Sequence, residues 1–144
     1  MAMNGFTVGR DITLNIIGYD GAIHSFGLNT HFDARMMTNK VSIKGLDGII
    51  RYLEIPDGWD GTFTYVKQDD LLDAYFANLE AAYYAGTNIA ASSITETISN
   101  PDGSTSQYRF TGVMMKFDDA GAWAGDRDVT MKISWCASRR IKVQ

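Results

Sequence analysis

Apolar and polar residues alternate along most of this chain, and one segment breaks the alternation with helical spacing. In "TFTYVK", Phe63 and Tyr65 fall on one face of a strand and Thr62 and Thr64 on the other. "SSITETIS" repeats the pattern and groups Ser93, Thr95 and Thr97. "RDVTMKISWCAS" sets Val129, Met131, Ile133 and Trp135 against Asp128, Thr130, Lys132 and Ser134. A strand with one aromatic or aliphatic face and one small polar face buries the first and shows the second to something wet.

Turn residues punctuate these runs. "DITLNIIGYDGAIHSF" reads as two strands joined at Tyr19-Asp20-Gly21, a hairpin signal. "HFDARMMTNKVSIKGLDGIIRYLEI" reads as a long strand, a turn at Asp47-Gly48 and a returning strand. Pro56-Asp57-Gly58 and Asp60-Gly61 read as turns around Trp59, and Asn100 to Gly103 as another. The return "STSQYRFTGVMMKF" is followed by the glycine-rich loop "DDAGAWAGD".

The helical segment is "QDDLLDAYFANLEAAYYAG", with the helix expected at about residues 69–85. Leu71, Leu72, Tyr75, Phe76, Leu79, Ala82 and Tyr83 recur at intervals of three and four, which predicts a single buried stripe. Asp69, Asp70 and Asp73 place negative charge at the amino end of the macrodipole, and Gly86 suits a left-handed stop. Tyr84 falls off the stripe and is a candidate contact residue, since tyrosine is favoured at interfaces. The expected architecture is one α+β domain spanning residues 1–144, mainly β, with seven or eight mostly antiparallel strands and one helix. One helix covers only part of such a sheet, and exposed strand edges invite pairing with another chain.

Length and composition agree with one folded domain: 144 residues, 45% apolar and 21% charged. No apolar run nears the ~20 residues that span a bilayer, and the first residues lack the basic-then-apolar pattern of a secretory signal, so no membrane partner is expected. Net charge is −4, from 13 basic and 17 acidic residues, which disfavours a protein that grips nucleic acid. The basic cluster "SRRIK", 138–142, reads as a solvated tail.

The search for chemistry finds no reacting constellation. His24 and His31, with Asp33, match no metal-ligand spacing. Cys136 reads as a small buried hydrophobe. Helix-end charge accounts for Asp69-Asp70, and a solvated loop for Asp118-Asp119. "GLDG" and "GWDG" lack the lysine of a phosphate loop. No enzyme activity, metal or cofactor is expected.

The order "GRDITLNIIGYDG", "THFDARMM", "LDGIIRYLEIPDGWDGTFTYVKQDDLLDAYFANLEAAYYAG", "YRFTGVMMKFDDAGAWAGDRDVTMKISWCAS" resembles the tail tube proteins of contractile-tailed bacteriophages, across about Gly9 to Ser138. Its most specific part is the Pro-Asp-Gly-Trp-Asp-Gly turn leading through one strand into the helix. The resemblance implies a tail-tube-type β-barrel or sandwich with the helix packed outside, hexameric rings stacked into a tube, and a contractile sheath around it. It also implies a baseplate and a tail terminator at the ends, and viral DNA passing through ungripped. The location implied is the virion tail, assembled in the bacterial host cytoplasm.

On that reading the channel-lining candidates are Thr62, Thr64, Ser93, Thr95, Thr97, Asp128, Thr130, Lys132 and Ser134. A hairpin at about 36–50 becomes the contact between rings, with Met36, Met37, Lys40, Lys44, Leu46 and Arg51 as candidates. Relatives on the same fold, a type VI secretion tube or a baseplate tube initiator, remain alternatives. From other classes stand a β-rich module binding sugar or peptide through Trp59, Trp123 and tyrosines, and, disfavoured, a hydrolase using acidic pairs.

Overall fold

Alternation in the sequence becomes strands wherever both residue parities find a face, and the described residues form nine strands and one helix. The structure, a computed structural model, describes residues 4–8, 12–24, 28–68 and 70–143, with the side chains at 24 and 28 outside the description. In chain order the elements are β1 (Ile12–Ile17), β2 (Ile23–His24), β3 (Leu28–Phe32), β4 (Arg35–Lys44) and β5 (Ile50–Val66). There follow α1 (Leu71–Tyr84), β6 (Ser92–Ser99), β7 (Thr105–Asp119), β8 (Thr130–Ala137) and β9 (Arg139–Lys142). Every pairing is antiparallel, and the strand order is β2-β1-β6-β7-β8-β5-β3, with β4 also on β5 and β9 also on β7. The mainly β architecture with one helix is the one expected. The strand count is higher because the long strand expected from His31 divides at Asp33-Ala34, and because β9 pairs with β7.

β7 is the hinge of the sheet. Residues 105–113 pair with β6, residues 108–111 also with β9, and residues 114–119 with β8. The two halves of the sheet face a common core. Ile16, Ile94, Phe110 and Val113 come from one half, Phe63, Tyr65, Met131, Ile133, Trp135 and Ala137 from the other. Rings fill the centre: Trp135 lies 4.8 Å from Phe110 and stacks on Phe32 at 5.7 Å. Burying each such side chain contributes roughly 1.5–3 kcal/mol relative to leaving it in water.

The Pro-Asp-Gly-Trp-Asp-Gly segment is not a turn. It lies within β5, which runs unbroken for 17 residues. Between the pairs Met36↔Trp59 and Thr38↔Pro56, β5 carries one residue more than β4, a β-bulge. Gly58 takes φ +99° there, and Pro56 lies beyond the reach of β8, whose pairing with β5 begins at Trp59. Proline and glycine are thus used at a bulge and beside an open edge, the positions where a strand tolerates them. Gly61 has a different reason. A Cβ on it would collide with the Asp33 carbonyl and come within 2.8 Å of the Trp135 ring.

Helix α1 ends as expected. Thr87 N–H donates to Ala82 C=O at 3.0 Å and Gly86 N–H to Tyr83 C=O at 3.1 Å, the two bonds of a Schellman stop. Its buried face is narrower than the sequence implied. Leu72 and Tyr75 are buried, Phe76, Leu79 and Ala82 are half-buried, but Leu71 is 54% and Tyr83 69% exposed. The helix sits on one end of the core, where Tyr75 meets Tyr19 and Phe76 meets Phe117 at 4.4 Å, and that footprint spans two residues per turn. Asp70 stands at the N-cap without a side-chain cap bond, Asp73 pairs with Lys67, and Asp69 lies outside the described residues.

The C-terminal basic cluster is not a solvated tail. Arg139–Lys142 form β9, and Arg140 reaches inward to Glu96. Cys136 is exposed rather than buried, because the register puts it on the outer face between Asp60 and Met114. No helix among the described residues is long and apolar enough to cross a membrane.

Candidate assembly surfaces

Among the described residues, uncovered surfaces include a polar face on β5, β8 and β7, a hairpin arm, and a groove beside α1. The polar face follows from register. Thr62 opposes Ser134 and Thr64 opposes Lys132, while Thr130 opposes Val66 and Lys116 flanks Ser134 from β7. Because Gly61, Phe63 and Tyr65 alternate with these threonines into the core, the threonines must face outward.

Several charges beside this face are paired locally. The Asp33 carboxylate accepts from Thr62 N–H at 2.9 Å and the Thr62 hydroxyl at 3.3 Å, and lies 3.3 Å from His31 Nε2. Arg35 stands 3.8 Å from Asp60, and Lys116 3.4 Å from Asp118, which also accepts from the Ser134 hydroxyl. Slight burial pushes the Asp33 carboxyl up, but the Thr62 N–H, His31 and the Arg35 charge outweigh it and hold it below the usual carboxylate value. The Ser134 hydroxyl does most to lower Asp118, helped by Lys116 and Lys132. Tyr65 shows the contrast of the buried face: desolvation pushes its phenol up to about 12.

The other lining candidates do not join this patch. Ser93, Thr95 and Thr97 lie on β6, which meets β7 at 105–113, while β8 meets it at 114–119. Thr95 is only 7% exposed, flanked in register by Asn15 and Arg109, so it is a buried threonine rather than a lining residue. Asp128 lies in the loop before β8, off the strand face.

The arm is the outer part of β4 with the first part of β5, closed by a turn in which Gly48 N–H donates to Gly45 C=O at 3.0 Å. Beyond Trp59, toward the turn, no other strand among the described residues pairs with this two-stranded ribbon. Register puts Val41, Ile43, Leu53 and Ile55 on one face, and Lys40, Lys44 and Glu54 with Tyr52 on the other. Met36, Ile43, Leu46, Ile49, Ile50, Tyr52, Leu53 and Ile55 are all exposed. Of the sequence candidates, Lys40 lies 4.7 Å over the Tyr52 ring and Arg51 holds Asp47 at 3.1 Å. Met37 is half-buried at the bulge. The sequence reading missed the aliphatic face; the run "GIIRYLEI", apolar at both parities, carried the signal.

The groove was missed altogether. It holds about 390 Å³ and is lined by Phe76, Leu79, Glu80, Tyr83, Tyr84, Ile89, Met114 and Phe117. Its sequence traces were Tyr83, which overran the helix footprint, and Tyr84, which fell off the stripe as a candidate contact residue.

Trp59 is not a free ligand-binding ring. It is half-buried, 5.7 Å from Phe110 and 5.2 Å under the Arg140 guanidinium. Among the described residues no three His, Cys, Asp or Glu side chains are gathered to hold a metal ion.

The whole architecture has counterparts among solved structures. A chain of the anti-feeding prophage cap, the AFP tube terminating cap, superposes with a TM-score of 0.60 at 9% identity, covering 99% of this chain and 93% of that one. A chain of the PVC sheath–tube complex in its extended state, from an extracellular contractile injection system, gives 0.56 at 10% identity, covering 90% and 86%. A chain from the C6-symmetric tail of an empty GTA particle gives 0.57 at 12% identity, covering 99% and 100%. The chain has the contractile-tail tube fold. At these identities it is the fold that is shared. No protein-family model and no curated protein matches the sequence.

Proposed function

We propose that this protein is a structural, non-enzymatic tail component that assembles into hexameric rings, stacked into the inner tube of a contractile tail. The observation that carries this reading is the likeness of fold, over nearly the full length of both partners, to chains of tube, cap and tail assemblies. The arm supports it, because a monomer gains nothing from a ribbon whose aliphatic face is left in water. In such a ring the face of Thr62, Thr64, Thr130, Lys132 and Ser134 lines the channel, and pairing across subunits covers the open strand edges. Small hydroxyls, with several neighbouring charges paired within the subunit, suit a conduit through which DNA slides without sticking. The arm, which includes residues 36–50, makes the contact between rings. Sheath, baseplate and terminator are the partners expected around and at the ends of the tube.

A terminating or initiating ring on the same fold is the second reading, favoured by the likeness to the cap and to a chain of the six-fold symmetrised AFP baseplate. Negative-stain electron microscopy over a concentration series, with light scattering on the same samples, tests both. Stacked rings or hollow tubes support the tube subunit, and single rings that stop growing support the terminator. A monomer at every concentration, with tail baseplates supplied as seeds, overturns the assembly reading.

A further inference from the structure

At the root of the arm a carboxylate stands where a backbone carbonyl belongs. β3 pairs with β5 as far as Phe32↔Phe63, and β4 takes over at Arg35↔Asp60 in the same register. Asp33 therefore faces Thr62 with no residue inserted or lost, and in a continuous antiparallel ladder the two would exchange both backbone bonds. Only one is made. Asp33 N–H donates to Thr62 C=O at 2.9 Å, but Thr62 N–H donates to the Asp33 carboxylate, also at 2.9 Å. The Asp33 carbonyl is turned instead toward Gly61, into the place a side chain there would take. The second carboxylate oxygen is held by the Thr62 hydroxyl and by His31 Nε2, each at 3.3 Å, and Arg35 stands 3.8 Å from Asp60 at the next pair toward the arm.

We infer that the Asp33 carboxylate sets the direction in which the β4–β5 arm leaves the sheet, by holding Asp33-Ala34 out of the ladder. With no acceptor on its side chain, residue 33 would return its own carbonyl to Thr62 N–H. β3 and β4 would then merge into one strand, and the arm would turn with them. Asp33 is thus a positioning residue that acts through the arm. Its consequence for assembly rests on the reading of the arm as the contact between rings. If a redirected arm points in the binding direction about one time in ten, assembly needs about tenfold more protein.

Double electron–electron resonance in the full chain tests this. Nitroxides are placed at Leu46→Cys, in the turn of the arm, and at Asn78→Cys, exposed on α1, with Cys136→Ser removing the native thiol. Samples are diluted until light scattering reports monomer, and circular dichroism scores folding. The parent should give one narrow distance, and Asp33→Ala should shift or broaden it. Asp33→Asn keeps an oxygen in the same place and should restore the parent distance. Asp33→Glu keeps the charge but moves the oxygen by a methylene, and should displace the arm. A parent as broad as Asp33→Ala, an Asp33→Ala distance matching the parent, or an asparagine variant displaced as far as the alanine one overturns the inference. If Asp33→Ala does not fold, Asp33→Glu decides in the same way. Assembly of the unlabelled proteins is scored separately by light scattering with baseplate seeds. A displaced arm with unchanged assembly concentration upholds the positioning by Asp33 and overturns the arm's role between rings. A parent that never assembles overturns the assembly reading and leaves the distances to decide the role of Asp33.

Discussion

Arg140 reaches the Glu96 carboxylate at 2.8 Å across 44 positions of sequence, and so ties the last strand to β6. The guanidinium lies 3.9 Å from the Tyr108 ring centre and also faces Trp59 and Phe110, so aromatic rings surround it while one of its terminal nitrogens meets the acid. Glu96 is buried and Arg140 only partly exposed.

Truncating either partner therefore strands a charge. Glu96→Ala and Arg140→Ala should each lower stability by about 2–4 kcal/mol, toward the range for broken buried pairs. Arg140→Lys should recover little, since an ammonium lacks the planar guanidinium that lies against Tyr108, Trp59 and Phe110. A paired Glu96→Gln, Arg140→Met variant should be less damaged than either alanine variant. Urea titrations of the parent and the four variants measure this, and a double variant that loses more stability than either alanine variant would refute the coupling.

Asp33 gives the chain an acid-sensitive element. Its carboxyl is held below 3.8 in the folded protein, so its interactions stabilise fully above that value. The contribution is lost as pH falls through the lowered folded pKa. Asp33→Asn should therefore melt below the parent protein at pH 6–7, with the gap closing toward about pH 2 as the parent protonates. Thermal melts of both proteins across that range check the sign; a gap that widens on acidification would contradict it.

Gly61→Ala tests why "GWDG" carries its second glycine. The added methyl would meet the Asp33 carbonyl, a backbone atom, together with the fully buried Trp135 ring. Neither yields cheaply, and overpacking of this kind costs about 1–3 kcal/mol. Denaturant titration, with near-ultraviolet circular dichroism to follow the Trp135 environment, reads the loss and its location.

The residues behind these predictions differ in how visible they were beforehand. Strand faces were legible, because Phe63, Tyr65, Met131, Ile133 and Trp135 alternate with small polar residues and nothing local competes with that period. The helix and its stop were legible for the same reason, though spacing cannot say that the surface beneath spans only Leu72 and Tyr75. The misreadings share one cause. Pro56-Asp57-Gly58 has turn chemistry, but β4 lies alongside and turns it into a bulge. "SRRIK" is charged, but Glu96 waits for it far away in sequence. Such partners are set by topology, which local composition does not report. The α1 groove was hidden likewise, since Met114 and Tyr84 come together only once β7 and α1 pack.

The arm separates stability from assembly. Ile43, Leu46 and Leu53 are exposed, and Leu46 is fully so at the tip. Leu46→Asp removes no buried contact, and surface changes of that kind stay within about 0.5 kcal/mol of the parent. Its effect on association should be far larger, because an aspartate forced into an apolar contact must be desolvated unpaired. The expected outcome is an unchanged melting temperature with no particle above monomer in light scattering, at concentrations where the parent assembles. Ile43→Ser, which removes apolar surface without adding charge, should weaken assembly less. If both variants assemble like the parent, the arm is not an assembly element. If Leu46→Asp also unfolds the subunit, the arm is part of the folded core and the separation proposed for it is wrong.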